Sequence, residues 1–344
     1  MNMIMTYLHD NWERLHLEQY SPTRRMSTVM ITPRFRASSH VVCLLLPQGQ
    51  AEPVMVAKVP RLAGPSASVK REVANLRAVQ ASRPTGFSSI PQVIAFEEHA
   101  SRQFLLETAL TGKPMDPPAV RSDVDGCCQA VLDWLGDLQE ATRQTVQGDN
   151  NWYENLVAGS LRRFRNLLPL SDEERQWLAK TEELVAPLEE ADLPLVFEHG
   201  DLSHPNVMWM HDGQLGVVDW ELAAPRGLPG FDLFFFLSYV AFAKHNARSN
   251  GAYLAAFRAA FFGEAAWTIP YIRSYGERLH LPEGTPAALF VLTWLRYTAS
   301  LLGRLDEAPQ SSGALSAETA VWIRENRYYQ MWRYAVTHVD ELRW

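Results

Sequence analysis

The stretch Phe197–Glu221, FEHGDLSHPNVMWMHDGQLGVVDWE, decides how this chain is read. It gathers three histidines, two glutamates and three aspartates in one window, and apolar runs flank the charges. Asp201 follows the strand-like LPLVF and the turn residue Gly200. Asn206 comes after four intervening residues, with Pro205 stiffening the approach. The chain then reverses through HDGQ into LGVVD, which ends on Asp219. This spacing predicts two short strands that present Asp201, Asn206 and Asp219 on one side. An asparagine oxygen and a carboxylate are hard ligands suited to Mg²⁺, which takes few protein oxygens and completes its shell with substrate phosphates. The remaining carboxylate, Asp201, stays available to accept a proton from an attacking hydroxyl.

Working outward, 344 residues suit two domains, or one domain in two unequal lobes. A hydrophobic fraction of 47% supports a sizeable core. The formal charge of -7 argues against a nucleic-acid partner and tolerates a cationic substrate. Cys43, Cys127 and Cys128 show no metal-ligand spacing and fit a reducing compartment. The first twenty residues are interrupted by charge too early for a signal peptide. The apolar run FFFLSYVAFA is far short of the roughly 20 residues of a membrane span, so a cytoplasmic protein with no membrane partner is expected. Oligomeric state has no sequence signal here.

The first third reads as strands: MSTVMIT, HVVCLLL and PVMVAKV, with PQGQAE as a hairpin loop. VKREVANLRAVQ places Val69, Val73, Leu76 and Val79 at helical spacing. SIPQVIAFEE and QFLLETAL read as two more strands around EHASR. Past the Gly- and Pro-rich break between Thr111 and Pro118, the texture turns helical in CCQAVLDWLGDLQEATR, WYENLVAGSLRRFRNLL and SDEERQWLAKTEELVAPLEE. Ser171 caps the last of these, with acids in its first turn. LPLVFEH and LGVVDWE are short strands, and from Phe231 the chain is helical and aromatic-rich. The expected fold class is α+β, with residues 1–110 as a small sheet lobe and 111–344 as a larger helical lobe.

His199-Gly200-Asp201…Asn206, followed by an apolar strand and Asp219-Trp220-Glu221, resembles the aminoglycoside phosphotransferase and choline kinase family, which shares the protein-kinase-like fold. The resemblance spans about Ser27 to Phe236. It implies an ATP- and Mg²⁺-dependent transfer of a phosphoryl group to a hydroxyl, GTP being the alternative nucleotide. Lys58, at the end of VMVAK, would hold the nucleotide phosphates, with Glu72 from the following helix as its partner. ATP would lie between the lobes, with the backbone of Glu107, Ala109 and Leu110 at adenine. Asp201 would be the catalytic base, Asn206 and Asp219 the metal ligands, with Glu221 helping directly or through water. Asp232 of PGFDLFFFL would brace the catalytic loop. One element departs from the protein-kinase pattern: no G-x-G-x-x-G precedes Lys58, and the loop in its place reads PRFRASS. Ser38 and Ser39 would cap phosphates there, with Arg34 or Arg36 adding charge.

Plainer readings compete with these. Asp201 is also a common turn residue, Lys58 fits an exposed strand end, and a one-turn phase error would face Glu72 outward. Glu221 fits a simple salt bridge to a neighbour. His199 is read as a brace of the loop, and His204 and His211 as solvent-facing. The three histidines match no zinc spacing. The aromatic tail reads first as core, and second as a pocket against a sugar or a cation. The expected acceptor is a small hydroxylated molecule: an aminoglycoside or other antibiotic, a sugar, or an amino alcohol. A kinase of Ser or Thr in a peptide, a pseudokinase-like regulatory protein and a metal-dependent hydrolase are the rivals. The hydrolase would not need Lys58 and Glu72.

Overall fold

The computed structural model describes residues 3–32, 40–62, 64, 66–146, 151–306 and 317–344. The predicted strands of the first third form one antiparallel sheet in the order β1 (Met26–Ile31), β2 (His40–Pro47), β3 (Met55–Pro60), β5 (Arg102–Thr108), β4 (Val93–His99). The register sets Lys58 of β3 opposite Val42 on one side and Leu105 on the other. Side chains alternate across a strand, so the sheet has two distinct faces. One is apolar: Cys43, Leu45, Met55, Ala57, Ala95, Phe104 and Leu106 form a core cluster.

That face is covered by a helix the sequence reading did not include. Ile4, Tyr7 and Leu8 of α1 (Met3–Asn11), with Trp12 and Leu17, complete the same cluster. Their i, i+3, i+4 spacing is a helical signal carried by only nine residues. The helix α2 (Ala67–Ala81) starts at Ser66, whose hydroxyl accepts from Val69 N–H, and contacts β4 and β5. It buries Val69, Val73, Leu76 and Val79, together with the polar Glu72 and Asn75.

The chain divides into two compact units. The first is Met1–Met115 with His199–Asp201 and Pro205–Pro225. It also holds a small sheet of β6 (Gly112–Pro114), β9 (Val207–Met210) and β10 (Leu215–Val217), in which β9 is central. HDGQ is the hairpin turn between β9 and β10, as its turn residues predict.

The second unit is Asp116–Glu198, Leu202–His204 and Arg226–Trp344. In a three-stranded sheet, β8 (Pro194–Glu198) lies between β7 (Gln144–Thr145) and β11 (Ala224–Gly227). LPLVFEH and LGVVDWE therefore supply strands to different sheets. The rest is helical: α3 (Pro117–Ser122), α4 (Val124–Thr142), α5 (Gly159–Leu167), α6 (Asp172–Val185), α7 (Phe231–Lys244), α8 (Asn250–Phe261), α9 (Ile269–Arg278), α10 (Thr285–Asp306), α11 (Ala317–Glu325) and α12 (Arg327–Thr337). Ser171 and Glu174 form the reciprocal cap that SDEE predicts. Phe234, Phe257, Phe261, Phe290, Trp294 and Trp332 are among the fully buried side chains of α7, α8, α10 and α12. Among the described residues, no helix is long and apolar enough to cross a membrane.

Candidate active site

The site grows from the polar face of the first unit's sheet. Lys58 is buried at 6% exposure, and its ammonium forms an ion pair with Glu72. Glu107 Oε1 lies 3.7 Å from Lys58 Nζ, and Asp219 Oδ1 lies 4.0 Å away. Burial pulls the Lys58 pKa down, but the charges of Glu107, Glu72 and Asp219 outweigh it and hold it above the ordinary lysine value. One cation thus faces three carboxyl groups. Burial pushes the Glu107 carboxyl up to about 8, against the pull of Lys58 and with help from Glu72 and Asp219.

The side chain of Glu107 was not part of the sequence reading, which gave this residue a backbone role. Strand alternation could have found it: Leu105 is the cross-strand partner of Lys58, and Glu107 is the next residue on that face. In the same stretch, the Ala109 N–H donates to Val54 O at 3.1 Å and is committed to the sheet edge. The Leu110 N–H has no backbone partner among the described residues.

The segment around Asp219 is gripped from α2. The Trp220 N–H donates to Glu72 Oε1 at 3.2 Å, so one carboxylate holds both Lys58 and the backbone beside Asp219. One helical turn on, Asn75 Nδ2 donates to Trp220 O at 3.0 Å and to Ala223 O at 2.8 Å. Asn75 also escaped the sequence reading; a buried amide inside an apolar stripe was its only signal. Trp220 is fully buried, and its Nε1 donates to Val217 O. Asp219 itself holds a left-handed backbone, φ 71°, a conformation costly for a residue with a Cβ and often found where function requires it.

The loop carrying Asp201 is fixed by His199. His199 Nε2–H donates to Val218 O at 3.0 Å, and Nδ1 accepts from Asp201 N–H at 3.3 Å. Those two bonds require the neutral tautomer. Burial lowers the His199 pKa to about 4, in agreement. The ring packs edge-on against Trp220, 4.8 Å between centroids, which is the bracing place predicted for it. Gly200 has φ 80°, and a Cβ there would lie 2.3 Å from Leu222 O, so the turn before Asp201 admits only glycine. Asn206 Nδ2 donates to Asp201 O at 2.9 Å and to Asp201 Oδ2 at 3.2 Å. The Val218 N–H donates to Asn206 O at 3.0 Å, tying the two halves of the motif together.

The residues nominated for a metal offer suitable oxygens. The Asn206 amide nitrogen is engaged, which leaves its carbonyl oxygen for a cation. Asp219 Oδ1 is shielded and makes no hydrogen bond among the described residues. Glu221 is half-buried, with its carboxyl pushed up to about 6 by burial, then by Asp219 and Glu72. Its carbonyl accepts from Arg71 Nε at 2.9 Å. Among the described residues no three His, Cys, Asp or Glu side chains are grouped as ready-made metal ligands.

Other nominated residues lie elsewhere. Ser38 and Ser39, with Arg34 and Arg36, fall outside the described residues. His211 is exposed and paired with Glu52 at 2.7 Å. His204 is buried, not solvent-facing: the single turn His204–Asn206 tucks it in, and its ring meets that of Tyr239 at 6.2 Å. Asp232, in the first turn of α7, is fully buried.

A small sheet lobe whose buried lysine is held by a helical glutamate, together with a largely helical region, defines a protein-kinase-like fold. The profile described as "Phosphotransferase enzyme family" matches residues 37–268, well over half of the chain. The chain belongs to that family and is a phosphotransferase. Choline kinase LicA from Streptococcus pneumoniae shares the fold at a TM-score of 0.54 and 12% identity, covering 96% of this chain and 99% of that one. LicA in complex with AMP aligns at a TM-score of 0.51 and 11% identity, covering 95% and 97%. Aminoglycoside phosphotransferase APH(3'')-Id from Streptomyces rimosus aligns at a TM-score of 0.49 and 14% identity, covering 86% and 98%. No curated protein is significantly similar to this chain in sequence.

Proposed function

We propose that this enzyme transfers the γ-phosphoryl group of ATP to a hydroxyl of a small molecule, with Mg²⁺ as the bound metal. The observation that carries this reading is the shared carboxylate of Glu72. It fixes Lys58 and the backbone beside Asp219 at once. A hydrolase using only the acids would have no use for a buried lysine so placed. The reading also draws on the family and on the AMP complex of a protein of the same fold.

In this reading Lys58, set by Glu72, orients the nucleotide phosphates. Asn206 and Asp219 would hold Mg²⁺, with Glu221 helping directly or through water, and the metal would supply neutralisation of charge on the phosphates. Asp201 accepts the acceptor's proton. Its carboxylate is aimed by the Asn206 amide and its backbone by neutral His199. The Leu110 N–H, without a backbone partner among the described residues, would serve the nucleobase beside the backbone of Glu107 and Ala109, and either adenine or guanine would meet it. The protein works in the cytoplasm. Most of the acceleration comes from positioning and charge neutralisation.

The test is a thermal-shift titration with ATP and Mg²⁺ on wild type and on Asp219→Ala. A magnesium-dependent rise in melting temperature that is lost in the variant is expected. A rise that survives in Asp219→Ala would remove Asp219 as a metal ligand. No rise with either ATP or GTP would remove the nucleotide reading.

A further inference from the structure

Three acids share Lys58, and two of them have a second task. Glu72 also holds the Trp220 N–H, and Asp219 is the proposed metal ligand. The side chain of Glu107 has no such task. It belongs to β5, an inner strand between β3 and β4, where Val56 stands opposite it on one side and Val93 on the other. Glu107 is 4% exposed. Its Oε1 is 3.7 Å from Lys58 Nζ, beyond hydrogen-bond distance, and its Oε2 is buried with no hydrogen-bond partner among the described residues. A leucine would fill this place on an inner strand without charge, whereas a buried carboxyl short of partners destabilises the fold. The acid therefore needs a reason other than packing.

Its place in the first unit supplies one. Residues opposite each other in neighbouring strands share a face, so Glu107 lies with Val56 on the face that also carries Lys58. Along the chain the order is Leu105, the cross-strand partner of Lys58, then Glu107, then Leu110, whose N–H has no backbone partner among the described residues. All of these residues belong to the same compact unit. The carboxyl thus stands between the lysine that would hold the phosphates and the amide that would hold the base. It can reach an edge of the base that the Leu110 amide leaves open.

The two purines differ at such an edge. Adenine sets an acceptor, N7, beside a donor, its 6-amino group, and guanine sets two acceptors, N7 and O6, side by side. A protonated carboxyl offers one donor and one acceptor, as the amide of Asn or Gln does, and so matches adenine at both atoms. An ionised carboxyl still accepts from the amino group. In either state it keeps an acceptor that would face an acceptor of guanine. Burial pushes the Glu107 carboxyl up to about 8, which favours the protonated form at neutral pH.

We infer that the Glu107 side chain reads the N7 and 6-amino edge of the nucleobase and selects ATP over GTP. This rests on the phosphotransferase reading above and narrows its nucleotide, which the Leu110 amide alone leaves open.

The experiment measures Kd by isothermal titration calorimetry on the full chain with Mg²⁺ and three nucleotides: ATP, GTP, and purine riboside triphosphate, which is ATP without its amino group. All three carry the same triphosphate, so an effect exerted through Lys58 cancels in their ratios. Wild type should bind ATP about tenfold more tightly than purine riboside triphosphate, the worth of about one hydrogen bond, and at least about tenfold more tightly than GTP. Glu107→Gln copies the donor and acceptor of the protonated acid and should keep both ratios within about threefold of wild type. Glu107→Met, apolar and of similar length, should bring the ratio between ATP and purine riboside triphosphate to about one. Equal weakening of all three nucleotides in Glu107→Met would overturn the inference, because Glu107 would then only steady Lys58. Wild-type affinities within about threefold of one another would overturn it whether or not that variant folds. A wild type that binds none of the three would instead count against the phosphotransferase reading itself.

Discussion

The two units treat buried charge in opposite ways. Around Lys58, one cation meets Glu72, Glu107 and Asp219, and among the described residues a buried oxygen of each acid lacks a hydrogen-bond partner. Around α10, Glu198 and Glu174 are each matched by an arginine and further bonded, Glu198 to Leu228 N–H and Glu174 to Ser171 N–H. Matched charge holds a fold in register, and a fully paired group has nothing left to offer a ligand. Unmatched charge is costly unless a ligand completes it. The imbalance in the first unit therefore points to chemistry, and the balance in the second points to architecture.

The largest expected effect separates chemistry from charge. Asp201→Asn should lower turnover by roughly 10²–10⁴, the range for loss of a general base, while the Mg-ATP thermal shift remains. Near-wild-type turnover would take Asp201 out of that role and weaken the contrast between the units. Next comes stability. Lys58→Ala leaves Glu72 and Glu107 buried without their cation, and urea unfolding should show a loss of about 3–5 kcal/mol. Arg296→Ala leaves Glu198 with the Leu228 N–H at 2.6 Å, so a smaller loss of about 1–3 kcal/mol is expected. Equal losses in the two variants would mean that the units do not differ in how their charge is held.

Much of this contrast was legible in the sequence, for identifiable reasons. The spacing of Asp201, Asn206 and Asp219 is local, and a hairpin turn and a glycine turn convey it without knowledge of tertiary structure. Lys58 and Glu72 were found because strand end and helix phase are also local patterns. Glu107 needed the cross-strand register, which sequence does not state. Asn75 needed to know that a backbone segment nearly 150 residues away lies against α2. α1 was passed over because its nine residues carry only a short apolar stripe. His204 was misplaced because a loop histidine reads as exposed until the turn that buries it is known. The arginine pairs of the second unit join residues far apart in the chain, and no periodicity announces them.

The smallest effect offers the finest test of the imbalance, through pH. The Glu107 carboxyl ordinarily titrates at 4.5 and is pushed up to about 8 in the folded chain. A raised carboxyl pKa means that the folded state binds the proton more tightly. Its contribution to stability is therefore complete below 4.5 and is lost as pH rises to about 8. Glu221 acts in the same direction, but only up to about 6. His199 acts in the opposite sense: its pKa falls from 6.5 to about 4, so its contribution is complete above 6.5 and is lost on acidification. Between pH 6.5 and 8 Glu107 is the one of these three still titrating. Across that window wild-type stability should fall by about 1 kcal/mol per pH unit, close to the limit for one proton. Glu107→Gln, which cannot ionise, should remove that slope. Urea midpoints at three pH values for both proteins would decide it. Parallel slopes would mean that Glu107 is already ionised at neutral pH.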